Sequence, residues 1–202
     1  MGIPQDYVEA ERWYLLAAEH GHADAQHGLG FLHSQGLGTP QDYAAAARWY
    51  LMAADQGLPG AQHNLGIMHQ YGQGIAQDYV EAARWYLLAG EQGHAEARFK
   101  LGVVYSNGQG VPQNHIEAAR WYLLAAEQGN ADAQYNLGLL YVEGLGVLQN
   151  NERAFMWLRI AASNGSDPAG WEYVAVRMTP QQIARAQEIA RVCLASGYVD
   201  CG

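Results

Sequence analysis

Basic side chains are scarce in this sequence. The 202 residues include 11 lysines and arginines against 20 aspartates and glutamates, which gives a formal net charge of −9, and Lys100 is the one lysine. A polybasic patch is therefore missing, and such a patch is what non-specific binding to nucleic acid or to anionic lipid requires. We expect no nucleic-acid partner.

Long apolar runs and cysteine pairs are also scarce. No apolar run approaches the length of a membrane span, so we expect no membrane insertion. The first residues have neither a basic nor an apolar segment of the signal-peptide type. The chain as it stands is expected to be cytoplasmic, or periplasmic or secreted if an upstream signal was removed. Two cysteines do not make a disulfide framework.

The chain consists of a repeat of 36 residues. Half of its residues are apolar, and they occur throughout the repeats. Glutamine, alanine and glycine recur at the same step as tryptophan. The tryptophans are Trp13, Trp49, Trp85, Trp121 and Trp157. A column of glycines predicts a close approach of two helices in each repeat, and it consists of Gly30, Gly66, Gly102 and Gly138.

Each repeat is expected to form two short antiparallel helices. In residues 58–93 the side chains of Ala61, Leu65 and Met68 follow helical spacing, and the glycines of residues 72–74 end that helix. Asp78 is a suitable N-cap for the second helix. Its inward stripe is predicted to contain Tyr79, Ala82, Tyr86 and Ala89, with Trp85 beside it.

The whole chain is predicted to be all-α, with eleven helices and no strand. A leading helix of the second type covers residues 5–20, and five pairs follow. Neither helix of a pair can bury its apolar face alone, so neighbouring pairs must stack. The last pair is degenerate, with a first helix at 166–177 and a capping box at Thr179 and Gln182. We assign 1–177 to the repeats and 178–202 to a capping helix and short tail.

Two stretches carry a resemblance to a known family. Residues 131–141, ADAQYNLGLLY, and residues 79–89, YVEAARWYLLA, resemble the Sel-1-like repeat (SLR). The resemblance covers nearly the whole chain. It implies a right-handed α-solenoid related to tetratricopeptide repeats, a bacterial origin more often than not, and a role as an adaptor or scaffold.

The two cysteines occupy alanine positions of the repeat. The equivalents of Cys193 and Cys201, such as Ala53 and Ala61, are expected to face each other across a turn. The cysteine-rich branch of the family uses the same separation for its bridges, which implies a Cys193–Cys201 disulfide if the compartment is oxidising. Two free thiols are the alternative.

Metal and catalytic sites find little support. His20, His22 and Asp24 form one tight cluster, but structural zinc usually takes four nitrogen or sulfur ligands, and we expect no metal and no other cofactor. The Ser-x-x-Lys chemistry of penicillin binding is also missing, because Ala97 stands three residues before Lys100. We expect no enzyme. A β-lactam-binding or hydrolytic enzyme of the cysteine-rich branch is one alternative.

The candidate partner-binding site lies on the first helix of each pair. If Ala61 and Leu65 face the core, then His63 and Ile67 point away from it. Resemblance to tetratricopeptide repeats places this face on the concave side, where such proteins hold extended peptides and where asparagine commonly bonds the ligand backbone. The candidate residues are His27, Phe31, His63, Asn64, Ile67, Phe99, Lys100, Val103, Tyr135, Asn136, Leu139 and Trp171.

These residues predict a scaffold that binds a protein or peptide in a groove. Exposed aromatic patches tend to mark binding sites, and we expect Phe99 and Tyr135 to be central. Their truncation should weaken binding and leave the melting temperature nearly unchanged. Packing between neighbouring first helices is the alternative interpretation of the same columns. An architectural or immunity-type protein that uses its convex or edge surface is a further alternative, and the sequence leaves the oligomeric state open.

Overall fold

The computed structural model describes residues 6–167, 169–199 and 201, and in these residues the chain forms eleven α-helices and no strand, as predicted. Gln5, the predicted start of the leading helix, lies outside them. None of the helices in this part is both long and apolar enough to cross a membrane. The helices are α1 (Tyr7–Glu19), α2 (Ala23–Gln35), α3 (Tyr43–Asp55), α4 (Pro59–Tyr71), α5 (Tyr79–Glu91), α6 (Ala95–Asn107), α7 (His115–Ala126), α8 (Ala131–Glu143), α9 (Asn151–Ser163), α10 (Ala169–Ala175) and α11 (Pro180–Ala195).

The helices are grouped into two compact units, Met1–His94 and Ala95–Gly202. Unit one contains α1 and the pairs α2–α3 and α4–α5. Unit two contains the pairs α6–α7, α8–α9 and α10–α11. In each pair we call the earlier helix the first helix and the later one the second. This pairwise repetition is the all-α solenoid fold.

A glutamine fixes the turn within each of the first four pairs. Gln77 Nε2 donates a 2.8 Å hydrogen bond to the backbone carbonyl of Gln70, near the end of α4. Gln41, Gln113 and Gln149 make the same bond in the other pairs, each at 2.8 Å. The last turn of a helix leaves carbonyls without partners, and this amide satisfies one of them. The glutamine column of the sequence therefore has a structural role.

The second helices begin at capping side chains, as predicted. The Asp78 carboxylate accepts hydrogen bonds from the backbone N–H groups of Val80 and Glu81, at 2.9 and 3.1 Å. At the start of α11, the predicted capping box of Thr179 and Gln182 forms in both directions. Each cap satisfies backbone donors that a helix start leaves unpaired.

The glycine column brings the two helices together in each of the first four pairs, also as predicted. A Cβ atom placed on Gly66 would lie 2.6 Å from the Tyr86 ring. Tyr86 is fully buried, and its hydroxyl donates a 2.6 Å hydrogen bond to Gln70 Oε1, so this ring cannot move aside easily. In unit two the equivalent ring is Tyr122, and burial raises the pKa of its hydroxyl to about 12.

The substitution Gly66→Ala should therefore destabilise the protein by about 1–3 kcal/mol, because overpacking a closed contact forces side chains or backbone to shift. Gly60→Ala on the same helix is the matched control, since its Cβ would meet His27 at an ordinary 3.5 Å. The control should be neutral or slightly stabilising. Urea unfolding of the two variants compares them, and equal losses would show that the helix–helix contact is not tight.

The burial of the tryptophan column increases along the chain. Trp85, Trp121 and Trp157 are 5 %, 4 % and 2 % exposed, whereas Trp13 on α1 is 61 % exposed. In unit one, the Trp85 ring packs with buried side chains of α3, the second helix of the preceding pair. Trp85 therefore belongs to the core shared by the pairs α2–α3 and α4–α5.

Two expectations about local structure are wrong. Tyr79 is 39 % exposed and does not belong to the inward stripe, because its hydroxyl accepts a 3.0 Å hydrogen bond from Gln77 over the turn. The first helix of the last pair was predicted over 166–177, but α10 has only seven residues. It begins after Asp167, whose carboxylate accepts from the Ala169 N–H at 2.9 Å, and ends before the extended cap at Thr179.

A disulfide joins Cys193 near the end of α11 to Cys201 in the tail, with Cα atoms 4.5 Å apart. Both cysteines are buried. Between them, Tyr198 receives a 2.9 Å hydrogen bond on its hydroxyl from Asn164, which follows α9. The tail is therefore held against α9 as well as α11.

Protein purified without reductant should carry this bond. Alkylation under denaturing conditions should then leave Cys193 and Cys201 unmodified, whereas alkylation after reduction should label both, as read by intact mass. Two labels in the unreduced sample would contradict the bridge.

Candidate functional site

The first-helix face of unit one contains His27, Phe31, His63, Asn64 and Ile67, on α2 and α4. Phe31 is the most exposed of the aromatic side chains here, at 47 %. Phe31, Asn64 and Ile67 line a cavity of about 240 Å³, with Tyr50 from α3 in its wall. Unit one therefore has a small depression with an exposed aromatic rim.

His27 and Asn64 link the two first helices of unit one. The Asn64 amide nitrogen lies 3.0 Å from His27 Nε2, and the His27 ring is 5.5 Å from the Tyr50 ring. Burial lowers the pKa of His27, which favours the neutral imidazole, and a neutral Nε2 accepts the amide hydrogen. The Asn64 side chain is also hydrogen-bonded with the Tyr50 hydroxyl, so it is engaged within the chain.

His63 is half-buried in a stack of rings. Its imidazole lies 4.7 Å from that of His94 and 6.0 Å from the Tyr86 ring. These ring contacts support the packing interpretation for His63.

The first-helix face of unit two is built from α6, α8 and α10. It contains Phe99, Lys100, Val103, Tyr135, Asn136, Leu139 and Trp171. Tyr135 and Leu139 line a cavity of about 500 Å³ together with Tyr173 and Arg177. The volume is within the range of about 300–1,000 Å³ typical of ligand pockets.

The other members of this face differ in their surroundings. The Phe99 ring lies 6.1 Å from the Tyr122 ring, and Lys100 Nζ is 5.7 Å from the Phe99 centroid. The Asn136 amide donates a 2.8 Å hydrogen bond to the carbonyl of Asp132 on its own helix. This bond engages the amide nitrogen of Asn136 within its own helix.

Trp171 is separated from the cavity that Tyr135 lines. Its ring makes an edge contact with Phe155 at 5.7 Å, and the Arg159 guanidinium lies 5.3 Å from its centroid. Both of these residues belong to α9, so Trp171 faces the second helix of the preceding pair. The structure places Trp171 in a different cavity from Tyr135.

The aromatic column combines packing with exposure. Phe99 and Val103 pack against one buried core cluster, and Tyr135, Leu139 and Trp171 pack against another. The column is therefore half-buried, and truncation of Phe99 or Tyr135 is expected to reduce stability as well as any binding. We therefore expect truncation to lower the melting temperature, whereas the sequence alone predicted that it would stay nearly unchanged.

Tyr173 and Arg177 belong to the site although the sequence analysis missed them. Tyr173 is 53 % exposed, and the Arg177 guanidinium lies 4.0 Å from its ring centroid and donates a hydrogen bond to its hydroxyl. Tyr173 lies on α10 and Arg177 lies in the turn that follows it. The available signal was their spacing of four residues within the helix predicted over 166–177. The pair was not recognised from the sequence, because the last repeat departs from the 36-residue pattern.

The histidine cluster near the first turn has a structural explanation. His20 Nδ1 lies 2.8 Å from the carbonyl of Leu16, and His22 is the N-cap residue of α2. Among the residues that the structure describes, no group of three or more His, Cys, Asp or Glu side chains is placed to hold a metal ion.

Solved bacterial structures resemble this chain. A Sel1 repeat protein from Oxalobacter formigenes is 32 % identical over 95 % of this chain and 82 % of its own length, with a TM-score of 0.79. The protein c5321, a protective antigen of uropathogenic Escherichia coli with an SLR fold, is 34 % identical over 96 % of this chain, with a TM-score of 0.78. This chain spans 46 % of c5321.

A more distant structure shares the fold alone. The immunity protein Pa5087 from Pseudomonas aeruginosa is 21 % identical over 98 % of this chain and 76 % of its own length, with a TM-score of 0.54. No curated protein matches the sequence significantly.

The sequence itself matches the Sel1 repeat model in consecutive segments. The matched residues are 1–22, 23–58, 59–94, 95–130 and 131–166. These boundaries follow the 36-residue step of the tryptophan column, and the last one precedes the degenerate pair. Sel1 repeats generally mediate protein–protein interaction. The chain belongs to the Sel1 repeat family.

Proposed function

We propose that this protein is an interaction scaffold whose first-helix faces bind extended segments of partner proteins. One observation carries the proposal. The depressions in both units are lined by residues of one sequence column, Phe31 and Ile67 in unit one and Leu139 in unit two. Packing alone does not require an open depression at the same repeat position in separate units.

The lining chemistry fits a peptide with apolar side chains. Tyr135 and Leu139 provide an apolar floor, and Tyr173 with Arg177 provides a polar edge. Aromatic and arginine side chains are enriched among the residues that dominate binding energy. A segment that places an apolar side chain into the unit-two depression would use both features.

Peptides selected from a random phage-displayed library on the immobilised protein provide the test. Amide NMR spectra of the protein with a selected peptide should show shifts concentrated on α2 and α4, or on α8 and α10. Shifts confined to the exposed faces of second helices, such as around Val80 and Ile116, would contradict the proposal. A failure to select any specific binder would contradict it too.

A further inference from the structure

A further cavity lies beside the degenerate last pair. It has a volume of about 610 Å³ and lies between α9, α10 and α11 in unit two. Because α10 has only seven residues, it covers less of the preceding second helix, α9, than a thirteen-residue first helix such as α8 can cover of the second helix before it. The shortened repeat thus opens a space beside α9.

An arginine at the mouth of this cavity breaks a leucine column. Arg159 occupies the position where the preceding second helices have Leu51, Leu87 and Leu123. Its side chain is exposed, and no carboxylate in the described part of the chain forms an ion pair with it. The substitution puts a permanent positive charge where the repeat otherwise has an apolar group.

The Trp171 ring orients this guanidinium. The Arg159 guanidinium carbon lies 5.3 Å from the ring centroid, within the range of a cation–π contact. A guanidinium that rests on an aromatic face keeps its N–H groups directed outward in its own plane, and this fork matches the two oxygens of a carboxylate. Arg159 is therefore held in a form suited to a carboxylate.

The rest of the cavity is partly apolar. Ile160, Ala190 and Leu194 contribute aliphatic wall beside the Trp171 ring. The other arginine in the wall, Arg191, is already paired with Glu188 through hydrogen bonds of 2.6 and 2.9 Å. One guanidinium is thus available for an anion, and Glu188 disfavours ligands with several negative charges.

We infer that the α9–α11 cavity binds a carboxylate attached to an apolar group, with Arg159 pairing the carboxylate and Trp171 contacting the apolar part. The C-terminus of a peptide with an apolar last residue and a small aliphatic acid share this chemistry. The cavity shares no lining residue with the two depressions, and Trp171 is the one member of the unit-two first-helix face that lines it.

Isothermal titration of the full chain with three probes tests the inference. The probes are acetyl-Gly-Leu with a free carboxylate, the same peptide as its C-terminal amide, and hexanoate. The free acid should bind at least ten-fold more tightly than the amide, because a hydrogen bond to a charged group contributes more than one to a neutral group. Tighter binding of the peptide acid identifies a chain terminus as the ligand, and equal or tighter binding of hexanoate identifies a small acid.

Two variants make the result specific. Arg159→Leu restores the side chain of the other repeats, should remain folded by circular dichroism, and should weaken binding of the free acid at least ten-fold. Arg120→Leu is the matched control, since Arg120 also lies over a tryptophan, 5.1 Å from the Trp121 ring, but lines no part of this cavity. Equal binding of acid and amide, unchanged affinity in Arg159→Leu, or no binding of either acid at millimolar concentration would overturn the inference.

Discussion

Replacing Trp85 by alanine is expected to lower the free energy of unfolding by about 3–5 kcal/mol. The ring is 5 % exposed and packs with the buried α3 side chains of unit one, so its loss leaves a cavity between two helix pairs. The Arg84 guanidinium, 4.2 Å from the ring centroid, also loses its contact. Urea unfolding followed by far-UV circular dichroism measures the change.

Trp13→Ala is the control for this substitution, because it removes the same side chain from the same repeat position. Trp13 is 61 % exposed, and its N–H makes a long hydrogen bond of 3.4 Å to Glu9. The expected loss is below about 1 kcal/mol. Similar losses in the two variants would contradict the conclusion that Trp85 stabilises the contact between the pairs α2–α3 and α4–α5.

Truncation of the depression residues is expected to weaken binding of selected peptides by roughly thirty-fold or more, which corresponds to about 2 kcal/mol. Phe31→Ala tests unit one and Tyr135→Ala tests unit two. Phe31 is 47 % exposed, so its truncation should change the melting temperature little, whereas Tyr135 packs on the core and its truncation should lower it. Titration calorimetry at a temperature where both variants are folded measures the affinities.

Exposed apolar side chains on second helices provide the matched controls. Val80 is 62 % exposed and Ile116 is 68 % exposed. Val80→Ala and Ile116→Ala remove comparable apolar surface away from the depressions and should leave the affinity unchanged. Equal losses from these controls, or intact affinity in both Phe31→Ala and Tyr135→Ala, would show that binding takes place elsewhere.

The repeat made most of the fold predictable. A position that recurs every 36 residues has nearly the same environment in each pair, so its residue type indicates its role. The Asp78 cap and the close approach at Gly66 were predicted in this way, and both are present. Repeat position predicts the role of a residue because stacked pairs place equivalent residues in equivalent surroundings.

The same reasoning fails where equivalence ends. The length of α10 was overestimated, because the repeat template gives no information about a shortened turn. The bond between His27 and Asn64 joins residues 37 positions apart, and no local pattern in the sequence indicates it. Tyr173 and Arg177 were missed because they stand in the irregular last pair.

The candidate site was predicted as a set of columns but not as separate depressions. Helical spacing indicated one face, yet it could not show how deeply a half-buried ring such as Tyr135 would be packed. That depth depends on neighbours distant in sequence, such as Gly170, where an added Cβ would lie 3.0 Å from the Tyr135 ring.

Site-specific photo-crosslinking in the cells that produce the protein tests the central claim most directly. The photoreactive residue p-benzoylphenylalanine would replace Phe31 or Leu139 on the first-helix face, or Val80 or Ile116 on second helices. The proposed function predicts that the first two positions capture a common protein partner and that the second two do not. Capture of that partner from Val80 or Ile116, with none from Phe31 or Leu139, would contradict it.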